Sequence, residues 1–200
     1  MGIEVTATIL GLIQGILVMF NKRSNWIFYV LQMIFMLIFS LYNKLYGDVI
    51  NNTIYIIVGI VGFITWGKSG KDCKITECKL NEKLIYTVII VIGTITAKNI
   101  LIATDDPLPY LDAFTTVSSF VATYYMMRHK LDTWIIWFIN DIAYCIEYLL
   151  LPDQAIYLFI LNLIWTGMAV GSFITWRKGI IKDEKSEKGI FCWKIQPIKG

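Results

Sequence analysis

The chain has 200 residues, 56% of them hydrophobic and only 16% charged, with a mean hydropathy of +0.61 and a net charge of +3. That balance excludes a soluble domain with a polar surface, and it leaves too few residues outside apolar runs for a separate catalytic domain. A single histidine, His129, lies outside every apolar run, which leaves little for intramembrane catalysis.

Crossing a hydrocarbon core about 30 Å thick takes roughly 20 apolar residues per helix. Seven such runs predict an all-α membrane protein. The first, Ile3–Phe20, follows Met1-Gly2-Ile3-Glu4 without a basic segment, so it is expected to stay in the mature protein. The match of Met1-Gly2 and Thr6 to a myristoylation pattern is read as chance, because the apolar run starts at once. Trp26–Tyr42 forms the second run; it carries Gln32, as the first carries Gln14, and both amides are cavity candidates. In the third, Val49–Trp66, the residues Asn52, Tyr55, Gly59, Gly62 and Trp66 share one helical stripe. Amides and aromatic rings on such a stripe can stack on a planar heterocycle and bond its polar edge. The alternative is helix packing, with asparagine as interhelical glue and glycine allowing close approach; Asn51 stands between the two readings.

A basic loop with Cys73 and Cys78 follows, where thiols stay reduced and no disulfide or zinc site is expected. The fourth run, Leu84–Ala103, holds Lys98, and the fifth, Leu111–Met127, is rich in hydroxyls, from Thr115 and Thr116 through Ser118 and Ser119 to Thr123. Some of these hydroxyls are expected only to bond their own backbone. His129, between Arg128 and Lys130, is read as solvated. The sixth run, Thr133–Leu151, places Trp134, Trp137 and Asp141 on one face, with Asn140 beside them and Glu147 near the outer end. A carboxylate at that depth costs about 2.5–3.5 kcal/mol. Asp141 therefore either pairs with Lys98 or contacts a substrate, directly or through water. The seventh run, Ala155–Trp176, carries Asn162 and Trp165, and a basic tail follows.

With seven crossings, sixteen of the eighteen Lys and Arg residues fall on one side: Lys22, Arg23, the basic loop, Arg128, Lys130 and the tail. Lys44 lies opposite and Lys98 within a run. Short basic loops stay in the cytoplasm, which predicts the N-terminus outside and the C-terminus inside. The positive charge then reflects topology and anionic lipid rather than nucleic acid.

Phe63-Ile64-Thr65-Trp66 recurs as Phe173-Ile174-Thr175-Trp176, a shift of 110 that also carries Asn52 onto Asn162 and Tyr55 onto Trp165. A shift of 108 carries Lys22 onto Lys130 and Trp26 onto Trp134. Two parallel copies of a three-helix unit need one extra crossing between them, which gives a 3+1+3 arrangement with a site near the midplane. The expected divisions are a first repeat at 1–66, a cytoplasmic loop and linker helix at 67–110, a second repeat at 111–178 and a cytoplasmic tail at 179–200.

In order along the chain, Asn25-Trp26, Tyr46-Gly47-Asp48, Asn52 with Tyr55, Gly62 with Trp66, Asp112 through Thr116, Trp134 and Trp137 with Asp141, and Trp176-Arg177-Lys178 resemble the PnuC family of bacterial vitamin transporters. The resemblance runs from about residue 5 to 178. It implies a SWEET-like fold, a homotrimer in the cytoplasmic membrane and one central site per protomer without metal or cofactor. It also implies facilitated diffusion of nicotinamide riboside, with trapping by a cytoplasmic kinase. By the same resemblance Trp134 and Trp137 wall the ring, Asn52, Tyr55, Asn162 and Trp165 face the ligand, and Asp141 orders the cavity. Thr123 stands where the family usually has Gln, Asn52 replaces another Gln and Phe63 a Trp, so thiamine, riboflavin or a deoxynucleoside stays open as substrate. A membrane receptor or scaffold is the rival from another class.

Overall fold

The computed structural model describes residues 2–42, 46–68, 74–103, 106–150 and 156–194. Met1, Lys44, Leu151, Ala155, the basic-loop residues Lys71 and Cys73 and the tail residue Lys199 lie outside the described residues, as do the side chains of Glu4, Tyr46, Asp48 and Lys68 and of the tail residues Lys185, Lys188, Cys192 and Lys194.

Each apolar run becomes a helix: α1 (Gly2–Met19), α2 (Asn25–Tyr42), α3 (Tyr46–Lys68), α4 (Leu80–Leu101), α5 (Pro109–Met127), α6 (Thr133–Leu150) and α7 (Ile156–Lys194). By length and composition α2, α4, α6 and the Phe159–Lys182 part of α7 suffice to cross a membrane, while α1 and α3 contain the shorter apolar stretches Val5–Met19 and Asn51–Gly67. The seventh helix runs through Trp176 into the basic tail without a break.

Burial is inverted relative to a water-soluble protein. The largest fully buried side chains are two tryptophans followed by Asn25, Asn140, Thr115, Thr123 and Thr133, whereas isoleucines and leucines of every helix but α5 face outward. A bilayer explains this: lipid solvates the apolar exterior, and polar groups bond one another inside. Ser118 donates to Asn140 Oδ1 at 2.6 Å, and Thr133 Oγ1 donates to the Ala122 carbonyl at 2.7 Å.

The second helix packs on α1 and α3, and α6 packs on α5 and α7; α1 meets α7 and α3 meets α5, while α4 leans mainly on α5 among the described residues. The turn before α2 and the turn before α6 have the same hydrogen bonds at a shift of 108. Asn21 N–H donates to the Val18 carbonyl and His129 N–H to that of Met126, Lys22 to Leu17 and Lys130 to Tyr125. Asn21 and His129 both have φ of 52°. This left-handed conformation suits Asn and is tolerated by His.

The turn before α6 also receives a strap. Thr76 N–H donates to the His129 carbonyl at 3.0 Å, and Leu131 N–H donates to the Thr76 carbonyl at 2.9 Å. Buried Asp132 then accepts from Cys78 N–H at 2.7 Å and pairs with Lys83 at 3.1 Å. Burial and Asp132 push the free Cys78 thiol up to about 12, so it stays protonated and inert.

Candidate functional site

Between the α1–α3 and α5–α7 groups lies a cavity of about 440 Å³. Six of the eight residues expected at a site line it: Tyr55, Trp134, Trp137, Asp141, Asn162 and Trp165. The other two lie behind the wall. Asn52 is buried and donates to Ser40 Oγ at 3.2 Å, and Ser40 in turn donates to the Met36 carbonyl at 2.9 Å. Asn51 takes the lining position instead. Thr123 is 1% exposed and donates to the Ser119 carbonyl at 2.8 Å.

Gln14 and Gln32 also line the cavity, as expected of them. On α2, Tyr29, Gln32, Met33 and Met36 follow helical spacing and form one wall. On α6 the face that begins with Trp134 and Trp137 continues through Asp141 to Tyr144 and Tyr148. The same spacing that marked Trp137 and Asp141 reaches these two tyrosines, and it was the available signal for them. Asn51, which stood between the binding and packing readings, lines the cavity, and Tyr29 gave no comparable signal.

Tyr55 is held on two sides. Its ring stacks on Phe120 with centroids 5.0 Å apart, and its hydroxyl hydrogen-bonds Ser119 Oγ at 2.8 Å. Gly15 lets the opposite wall close in, because a Cβ there would lie 2.7 Å from the Trp165 ring. Of the α5 hydroxyls, Thr115, Ser118, Ser119 and Thr123 all bond back to their own helix, while Thr116 reaches Asp112 Oδ1 at 3.3 Å. Thr116 and Ser119 also line the cavity. Glu147 is half-buried and 3.5 Å from Thr115 Oγ1.

Lys98 does not reach Asp141, since its Nζ lies 4.8 Å from the Tyr110 ring centroid. Among the described lining residues Asp141 is the one with a formally charged side chain. The wall is otherwise aromatic, amide, hydroxyl and thioether, a surface suited to a planar, polar-edged molecule.

One end of the cavity is closed by aromatic packing. Val18, Met126, Trp134 and Ala169 belong both to the lining and to a buried cluster with Trp26, Trp66 and Trp176. The structure corrects the reading of His129 as solvated. It is 5% exposed, its ring 4.1 Å from Trp66 and 6.3 Å from Trp176. The turn geometry points this side chain inward, a direction that its basic neighbours did not reveal. Each indole also bonds to the other three-helix group: Trp66 Nε1 donates to the Met127 carbonyl at 3.2 Å and Trp176 Nε1 to the Val18 carbonyl at 3.1 Å.

Residues 1–178 match the family described as nicotinamide mononucleotide transporter. Among curated proteins, the nicotinamide riboside transporter PnuC of Neisseria mucosa is 25% identical over 185 residues, covering 86% of this chain and 70% of that protein. The crystal structure titled as the vitamin B3 transporter PnuC superposes with a TM-score of 0.71 at 23% identity, over 90% of this chain and 82% of that one. At that identity the superposition shows a shared fold.

Proposed function

The chain belongs to the nicotinamide mononucleotide transporter family, a family of membrane transporters rather than enzymes, and from that premise we propose that its cargo is nicotinamide riboside. The observation that carries the proposal is the cavity between the two three-helix groups, lined by Trp134, Trp137 and Trp165, by Tyr55 and by the amides of Gln14, Gln32, Asn51 and Asn162. Its volume of about 440 Å³ falls within the roughly 300–1,000 Å³ usual for small-molecule sites. The riboside fits better than its mononucleotide on charge. No Lys or Arg is among the described lining residues, so a phosphate would enter unpaired beside Asp141.

In this reading Trp134, Trp137 and Trp165 hold the ring, and Tyr55, Asn51 and Asn162 bond its substituents. Asn52 and Thr123 act from behind the wall, Asn52 by fixing Ser40. The proposal includes seven crossings in a 3+1+3 plan of parallel repeats, 1–66 and 111–178, linked by 67–110. The matching turns at residues 20–26 and 128–134 support it. The N-terminus outside and the tail at 179–200 inside a bacterial cytoplasmic membrane follow from the basic residues. One repeat rocks against the other, so the reciprocal indole bonds near His129 form an inner latch. Movement is by facilitated diffusion with trapping by a cytoplasmic kinase, in a homotrimer. The free apolar side of α4 supports contact with lipid or a neighbouring protomer.

Calorimetry on the purified protein with nicotinamide riboside, its mononucleotide, thiamine, riboflavin and deoxyadenosine tests this. Saturable binding of the riboside is expected, weakened about tenfold or more by Trp137→Ala, since ring stacking is worth about 1–3 kcal/mol. Preference for another member of the panel would replace the cargo assignment. A sodium or proton requirement for uptake into proteoliposomes would overturn facilitated diffusion.

A further inference from the structure

Asp141 is 6% exposed and lines the cavity from α6, one helical turn from Trp137 on one side and from Tyr144 on the other. Among the described residues no hydrogen-bond donor and no cation meets its carboxylate. Lys98, the basic residue within an apolar run, lies in the last turn of α4 with its Nζ 4.8 Å from the Tyr110 ring centroid. The ionisable groups around it, Cys145 on its own helix and Tyr55 and Tyr144 in the same cavity, carry no positive charge in any protonation state.

A buried carboxylate is tolerated when something compensates it, and removing the partner of a buried ion is costly. Here the protein supplies no partner, and the open direction is the cavity itself. The tryptophan walls act in the same direction, since the faces of indole rings attract cations. A flat molecule bearing positive charge in its ring would gain both interactions at once. An uncharged ring of the same shape would gain the stacking alone and leave the carboxylate uncompensated.

We propose that Asp141 is the counter-ion for the cargo, so that the cavity selects a cationic aromatic heterocycle over its uncharged isostere. The inference rests on the transport reading above and narrows it. A pyridinium riboside and a thiazolium vitamin satisfy the requirement, whereas a flavin or a deoxynucleoside does not.

The test compares nicotinamide riboside with its 1,4-dihydro form, which keeps the ring substituents and the ribose but has no charge. Binding of both is measured by calorimetry on wild type, Asp141→Asn and Asp141→Glu. An opposite charge within about 4–6 Å favours the charged form by about one to three powers of ten. The wild type should therefore prefer the cation by about tenfold or more. Asp141→Asn should lose that preference mainly through weaker binding of the cation, and Asp141→Glu should keep it. Equal binding of the two forms by the wild type would overturn the counter-ion and leave the cargo assignment standing. So would an undiminished preference in Asp141→Asn. Binding of thiamine with neither form of the riboside would do the reverse. Equal binding by the wild type overturns the counter-ion even if the Asn variant fails to fold, and the Glu variant, which keeps the charge, then carries the positive test.

Discussion

Replacing His129 with Asn removes a titrating ring from between two indoles without straining the backbone, because Asn21 holds the same φ of 52° at the matching turn. The imidazole is 5% exposed, and its Nε2 is buried without a hydrogen-bond partner. Burial pushes its pKa down from the ordinary 6.5 to about 4. The folded state thus prefers the neutral ring more strongly than the unfolded chain does. Stability from this residue is complete above pH 6.5 and declines as pH falls from there toward 4. The slope is about 1.4 kcal/mol per pH unit, which amounts to about 2 kcal/mol by about pH 5. For a chain of this size 1 kcal/mol moves Tm by about 2–4 °C, so from about pH 7.5 to about pH 5 the wild type should lose about 4–8 °C relative to His129→Asn. Thermal unfolding in detergent, followed by tryptophan fluorescence, measures this, and pH values above about 5 keep ordinary carboxylates out of the window. His129→Asn should melt lower at neutral pH but lose most of the slope. A wild-type Tm that gains on that of His129→Asn on acidification would refute the reasoning, because cation–π attraction from Trp66 and Trp176 would then outweigh desolvation. An unchanged slope in the variant would assign the titration elsewhere.

Three further outcomes follow from the packing. A Cβ on Gly62 would lie 2.6 Å from the ring of Trp26, which is itself fully buried against Tyr29 and Trp66, so Gly62→Ala should cost about 1–3 kcal/mol in thermal unfolding. Asn51→Ala should weaken cargo binding with little change in Tm, whereas Asn52→Ala should lower Tm by freeing Ser40 and change affinity less; calorimetry and unfolding on both variants separate these roles. Trp176→Phe removes the indole N–H from the Val18 carbonyl, which keeps Asn21 N–H, a loss of about 0.5–1.5 kcal/mol readable as a lower Tm.

What the sequence could reveal depended on which force places each residue. Apolar length sets helix extent, and all seven runs became helices, with ends moved by only a few residues outside the tail. Helical spacing sets which residues share a face, and it brought Tyr55, Asn162 and the Trp137–Asp141 face to one cavity. It does not distinguish two adjacent asparagines on the edge of that face. Asn51 and Asn52 exchanged roles because Ser40, on a neighbouring helix, captures the Asn52 amide. His129 was illegible for a similar reason. Its burial depends on a left-handed turn and on the strap from Thr76, both set by tertiary contact, while its neighbours Arg128 and Lys130 suggested solvent. Asp132 gave no sign of its role because its partners, Cys78 N–H and Lys83, lie about fifty residues away.

The matching positions of the two three-helix groups divide by role. Where the backbone or the latch decides, the pairs are alike: Trp26 with Trp134, Trp66 with Trp176, and the left-handed Asn21 with His129. Where the cavity decides, they differ: Met33 matches Asp141, Tyr29 matches Trp137, Met36 matches Tyr144 and Tyr55 matches Trp165. A like scaffold around an unlike lining cannot offer a ligand the same contacts from both sides. The second group contributes the charge and all three indoles, the first contributes three of the four amides, and both contribute tyrosines and thioethers. A cargo with a charged flat ring at one end and a hydroxyl-bearing sugar at the other matches that division. Its ring then belongs against α6 and its polar end toward Gln14, Gln32 and Asn51.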